Sequence, residues 1–148
     1  MVNRSSLGSK GTTFSMDLER GKIAEFARAV CSTNAAYLSG ERPPVPPTFL
    51  TTAVFWEGEH GNPWEAVQMD QRRGLHAEQE FVFHGPPPRA GTRLSATSRI
   101  TDIYEKPSRR AGTLTFVVMV TEFVDEEGRL VAESRLTGVE TELVPERA

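Results

Sequence analysis

The second half of the chain is a run of long strand signals, and it leaves few architectures open. Leu75, Ala77, Gln79, Phe81 and Phe83 alternate with His76, Glu78, Glu80, Val82 and His84, a period of two that predicts a strand. Gly85-Pro86-Pro87-Pro88 breaks it. A second strand is predicted from Arg93 to Tyr104, with Leu94, Ala96, Ser98 and Ile100 on one face. The third, Thr113 to Val124, is apolar on both faces in its middle, which predicts a central place in a sheet. Asp125-Glu126-Glu127-Gly128 reads as a hairpin turn, with glycine where positive φ is needed. A fourth strand follows from Arg129 to Leu143. The result is an antiparallel meander with an apolar face that a second layer must cover.

The first half supplies that layer. Phe14, Met16 and Leu18 alternate with polar residues and suggest a short opening strand. Ile23, Phe26, Ala27 and Val30 form one helical stripe, with Asp17 or Glu19 at its N-terminus, and Asn34 to Leu38 reads as a further short turn. Arg42-Pro43-Pro44-Val45-Pro46-Pro47 can be neither helix interior nor central strand. We read it as a loop ending with Pro47 at the first position of a helix, Pro47 to Trp56. That helix is apolar on most sides and is expected to be buried, although Thr48, Thr51 and Thr52 are poor helix formers. The fold expected is α+β, a curved antiparallel sheet wrapped around a central helix. Glu57 to Arg73 reads as loop.

The chain has 148 residues, which suits one domain, taken as 12–148, after a polar and flexible tail from Met1 to Gly11 that is not a signal peptide. A net charge of −3 disfavours nucleic-acid binding. The longest apolar run, Phe116 to Val120, is too short to span a membrane. The lone cysteine, Cys31, excludes an internal disulfide; it reads as a small buried filler in a reduced, cytoplasmic protein. His60, His76 and His84 form no metal signature, so no metal is expected; His60 and His84 read as loop residues.

Several segments in order resemble the MaoC-like dehydratases, in particular their amino-terminal hot-dog half. They are Lys22-Ile23-Ala24-Glu25-Phe26-Ala27-Arg28-Ala29, Pro46-Pro47-Thr48-Phe49, Leu75-His76-Ala77-Glu78-Gln79-Glu80-Phe81 and the His84-Gly85-Pro86-Pro87 break. Ser98-Arg99-Ile100-Thr101-Asp102-Ile103-Tyr104-Glu105-Lys106 and Thr113-Leu114-Thr115-Phe116-Val117-Val118 follow in register. Together they are similar to the smaller, non-catalytic subunits of heterodimeric hydroxyacyl-carrier-protein dehydratases, over roughly Thr12 to Glu140.

Catalytic members of that group carry Asp-x-Asn-Pro-x-His. Dehydrating a 3-hydroxyacyl thioester needs a base for the proton beside the carbonyl, an acid for the leaving hydroxyl and a donor for the enolate-like oxygen. The resemblance assigns the first two to the Asp and His, and the donor to a backbone N–H at the start of the central helix. The matching stretch here is Ser32-Thr33-Asn34-Ala35-Ala36-Tyr37. Ser32 stands for the Asp and Tyr37 for the His; only Asn34 is kept. Pro46-Pro47 replaces the usual His-Gly at the helix start, and proline has no N–H.

The resemblance therefore implies a substrate-binding subunit inactive alone, working with a paralogue that brings the Asp and His. It needs no cofactor beyond the coenzyme A or carrier protein bearing its substrate. Pro47, Thr48, Phe49, Phe55, Trp56 and Trp64 are the candidates for lining an acyl channel, with plain core as the alternative for Phe49, Phe55 and Trp56. His76 is a weak catalytic candidate. Arg72 and Arg73, with Arg89 and Arg93, could meet carrier phosphates, whereas Arg109 and Arg110 read as a hairpin tip. Two other readings stand beside this one. The chain could be a homodimeric acyl-thioester binding or regulatory protein, or a hot-dog thioesterase using Glu57 or Glu59.

Overall fold

The computed structural model describes residues 1–143. β1 (Phe14–Asp17), α1 (Arg20–Ala29) and α2 (Ala35–Leu38) are followed by two 3-10 helices, Phe49–Phe55 and Pro63–Val67. Then come β2 (Gly74–Phe83), β3 (Arg93–Ser108), β4 (Gly112–Val124) and β5 (Leu130–Thr141). All neighbours pair antiparallel in the order β1-β3-β4-β5-β2.

β4 is central, as its two-faced apolarity implied. Val117, Met119 and Phe123 are buried towards the helices, and Val118 and Val120 are half-buried on the far face. The β4–β5 turn is tied by Asp125, whose Oδ1 accepts from the N–H groups of Glu127 and Arg129, with Gly128 at φ +80°. Only β3, β4 and β5 form the expected meander. β2 does not neighbour β3; it crosses to the far edge and pairs with β5. The physical reason lies in the proline break. Residues 84–92 cannot close a tight hairpin and instead run beside the first proline cluster, with Val45 N–H donating to Pro88 O and Ala90 N–H to Pro43 O.

The helix expected from Pro47 to Trp56 is a 3-10 helix from Phe49 to Phe55, with Pro47 and Thr48 exposed before it. Thr52 Oγ1 donates to Phe49 O at 2.8 Å, the local side-chain bonding that weakens α-helix at such residues. It is not buried all round. Phe49, Leu50 and Ala53 pack with Met16, Leu94, Ala96, Phe123 and Ala132 in the main core, whereas Val54 and Phe55 are 62% and 80% exposed. The sheet thus covers one side of this helix, in a hot-dog fold.

Two further expectations are corrected. Met1 to Gly11 is not a flexible tail: Val2 and Ser6 are buried, and the segment continues the line of β1 along β3. Gly8 N–H donates to Ile100 O, Ile100 N–H to Ser9 O and Gly11 N–H to Ser98 O. Backbone bonds hold it, so its side chains show no period. Val2 joins Val67, Ile100, Val117 and Met119 in a second core cluster. Cys31 is exposed rather than buried, as is Val30 at the end of the predicted stripe. Cys31 has φ +56° at the end of α1, where Ser32 N–H donates to Ala27 O and Cys31 N–H to Arg28 O. This is a Schellman-type helix stop with cysteine in the place glycine usually takes.

Candidate functional site

The chain opens a cavity of about 640 Å³ between the Pro63–Val67 helix and the helical-side face of β4, β5 and β2. Its floor is Met119, Leu136 and Gly138; its sides carry Trp64 and Met69; its rim includes Asn62, Gln68 and His76. Asn62 sets the Trp64 side in place. Its Oδ1 accepts from Trp64 N–H at 2.9 Å, an N-cap, and Pro63 takes the first helical position. At the other end Gln68 adopts left-handed backbone, φ 53° and ψ 37°, a conformation that costs energy for a side-chain-bearing residue.

His76 reaches this cavity through a feature that strict alternation hides. β2 bulges at Ala77, so that His76 opposes Gly138, Glu78 opposes Thr137 and Gln79 opposes Leu136. The extra residue places His76 and Gln79 on one face, although they are three apart. A period-two reading puts them on opposite faces. Below His76 the same face carries a polar row in the middle of the sheet. Gln79 Nε2 donates to Ser134 Oγ at 2.8 Å, and Ser98 Oγ and Thr121 Oγ1 share a buried hydrogen bond of 2.8 Å.

Trp64 rests on Gly138. A Cβ at that position would lie 2.6 Å from the indole Cη2 and 2.7 Å from Cζ2. Glycine is therefore required for close approach. Among the described residues, arginine and lysine are absent from the cavity lining, and its one carboxylate is Glu65. Asn62 also links to a second carboxylate outside it, since Nδ2 donates to Glu57 Oε2 at 2.9 Å. Glu57 Oε1 is buried without a partner among the described residues, and burial pushes the Glu57 carboxyl above its ordinary range, only partly offset by the Asn62 bond.

The other candidates fall elsewhere. Phe49, Phe55 and Trp56 border a smaller cleft of about 360 Å³ between α1 and the Phe49–Phe55 helix, with Phe26 and Lys22. Lys22 Nζ sits 5.8 Å from the Trp56 ring centroid. Pro47 and Thr48 line neither space. Asn34 caps α2, its Oδ1 accepting from Ala36 N–H at 3.0 Å, and Ser32 Oγ accepts from Asn34 N–H at 3.3 Å. Tyr37 packs towards α1 beside Ala24 and Arg28, so the Ser32–Tyr37 turn and His76 do not share a cavity.

Arg73 is held by Asp70 at 3.2 Å, by the buried Glu140 at 3.1 Å and by the carbonyl of Thr141. Arg72 pairs with Asp70 at 3.0 Å and holds that carboxyl well below the usual range. Arg93 pairs with Asp17, and Arg89 donates to Arg42 O. His84 Nε2 lies 2.8 Å from Glu133 Oε2, and His60 is exposed in its loop. Glu59 is exposed too. Trp64 and His76 are thus the candidates that share the larger cavity, while Phe49, Phe55 and Trp56 share the smaller cleft. Met119, Leu136 and Gly138 escaped the sequence reading because they look like ordinary strand residues.

Residues 5–134 match the family model described as "FAS1-like, dehydratase domain region". A UPF0336 protein of Parafrankia sp. (strain EAN1pec) is 33% identical over 138 residues, 86% of each chain. Among solved structures, a chain of the HadBC (3R-hydroxyacyl-ACP dehydratase) complex of Mycobacterium tuberculosis superposes with TM-score 0.66 at 25% identity, over 87% of this chain and 95% of that one. A MaoC-like dehydratase gives TM-score 0.73 at 23% identity, with 92% of this chain covering 42% of the larger one. With its five-stranded antiparallel sheet in a hot-dog fold and the match across most of its length, the chain belongs to the FAS1-like dehydratase domain family.

Proposed function

We propose that this chain is the substrate-binding, non-catalytic subunit of an (R)-3-hydroxyacyl-thioester dehydratase, paired with a hot-dog paralogue that supplies the catalytic Asp and His. The observation that carries this reading is the state of the Ser32–Tyr37 turn. Its one retained polar residue, Asn34, is engaged in capping α2, and neither Ser32 nor Tyr37 offers an acid–base group suited to neutral pH. The helix start supports it further: Pro46 and Pro47 have no N–H, and Phe49 N–H donates to Pro46 O.

In this reading the chain holds the acyl part of the substrate over the Met119–Leu136–Gly138 floor, and the partner performs the reversible loss of water to the trans-2-enoyl thioester. The substrate's own thioester acidifies the neighbouring proton, so no further cofactor is invoked. The HadBC relative is a complex of two chains, in keeping with a paired arrangement here. β2 is an edge strand whose exposed residues are Leu75, His76, Ala77, Glu78 and Glu80, a border that a partner can cover.

The test is to mix the purified chain with crotonyl-coenzyme A, alone and with a paralogue carrying the Asp-x-Asn-Pro-x-His turn, and to follow loss of the enoyl absorbance. Hydration only in the mixture is expected. Brisk hydration by the chain alone refutes the reading. One observation favours a second reading. Glu57, with its unpartnered buried oxygen beside the Phe49–Phe55 helix, could activate water on a thioester; free coenzyme A released by the chain alone would select that alternative. Tight acyl-thioester binding with no reaction in any mixture would select a homodimeric binding protein.

A further inference from the structure

We propose that Trp64, seated on Gly138, is the depth stop of the main cavity and sets the length of aliphatic group that the cavity admits. The inference deepens the acyl-binding reading and names the residue that decides specificity within it. Trp64 has two sides in two environments. One lines the cavity with Leu136, Met119 and His76. The other packs against the second core, in which Val67, Ile100 and Val117 are fully buried. The indole is thus the partition between an open cavity with an apolar floor and a closed apolar core.

Its position is held from three directions. Gly138 leaves the room in which the six-membered ring lies. Asn62 fixes the Trp64 backbone N–H. Met69 closes on the same spot, its Cε 3.4 Å from where a Cβ of residue 138 would be. β5 cannot retreat, because Gly138 sits between Val117 of β4 and His76 of β2 in the ladder. Shrinking the indole therefore lengthens the cavity into surroundings that remain apolar. A side chain at residue 138 instead drives the ring into the cavity and shortens it.

The lining also says what part of a ligand enters. With an apolar floor and, among the described residues, no lysine or arginine, the cavity suits an uncharged aliphatic chain and leaves anionic carrier groups outside. Asn62, Gln68 and His76 at the rim can hydrogen-bond a hydroxyl or carbonyl.

The experiment uses two probe series on the full chain and on Trp64→Leu, Trp64→Phe and Gly138→Ala. Straight-chain alcohols from butanol to decanol, titrated by NMR, report cavity depth without any carrier. Saturated acyl-coenzyme A thioesters of matching lengths, titrated by calorimetry, report the substrate reading. Affinity should rise about fourfold per methylene until the chain meets Trp64, then level off. Trp64→Leu and Trp64→Phe should move the break to longer alcohols, and Gly138→Ala to shorter ones. Trp64→Phe keeps an aromatic ring and serves if the leucine variant fails to fold. An unmoved break in folded variants overturns the depth stop. A moved break with no thioester binding upholds the depth stop and refutes the acyl-thioester reading.

Discussion

Gly138→Ala is the substitution whose energetics the structure defines most closely. The added methyl would lie 2.6 Å and 2.7 Å from two indole carbons of Trp64, well inside normal carbon contact, so ring or strand must move. The strand is fixed by ladders on both sides, the Trp64 backbone is held by the Asn62 cap, and the ring is backed by the buried Val67–Ile100–Val117 cluster. Overpacking of this kind costs about 1–3 kcal/mol. Alanine recovers about 0.4–1 kcal/mol by restricting the unfolded chain. The net expectation is a loss of roughly 1–2 kcal/mol, or about 2–8 °C in melting temperature for a chain of this size. The assay is urea denaturation of the wild type, Gly138→Ala, Trp64→Leu and the double variant. In the Trp64→Leu background the methyl meets no ring, so Gly138→Ala should there be neutral or stabilising, giving a coupling of about 1–3 kcal/mol. A Gly138→Ala protein as stable as wild type, or strictly additive effects, would refute the close packing of ring on strand.

Three further outcomes follow from other parts of the fold. Ala53→Glu places an unpaired charge in the main core and should cost about 3 kcal/mol or more, seen as loss of the cooperative transition by circular dichroism; a normal melt would mean the Phe49–Phe55 helix does not face the sheet. Asn34→Ala removes the α2 cap and should cost about 1 kcal/mol in urea titrations, with turnover of the reconstituted pair largely kept; abolished turnover in a folded complex would make Asn34 part of the chemistry. Glu57→Gln tests a buried carboxyl whose folded-state pKa is raised. The folded state then binds a proton more tightly than the unfolded chain, so the wild-type contribution is present in acid and is lost as pH rises from the ordinary carboxylate range through the folded-state value. Stability measured against pH should decline over that window in the wild type relative to Glu57→Gln, and parallel curves would show that Glu57 is solvated.

Much of the framework is local in origin and is written in the chain. The apolarity of both faces at Val117–Val120 put β4 in the middle, Gly128 closed the last hairpin, and Ile23 and Ala27 turned α1 inward. The Ser32–Tyr37 turn could be compared with an acid–base motif residue by residue, because such a motif depends on side-chain identity at short spacing. The site itself was decided at long range. Only pairing with β5 reveals that a bulge at Ala77 brings His76 round to the face of Gln79. Only the crossing of β2 to the far edge makes Leu75 a border, and only backbone bonding to β3 turns the polar opening residues into part of the sheet. The meeting of Trp64 with Gly138 is of the same kind. A tryptophan in a loop and a glycine in a strand carry no signal for each other, and their contact exists because the folded chain closes the distance between them.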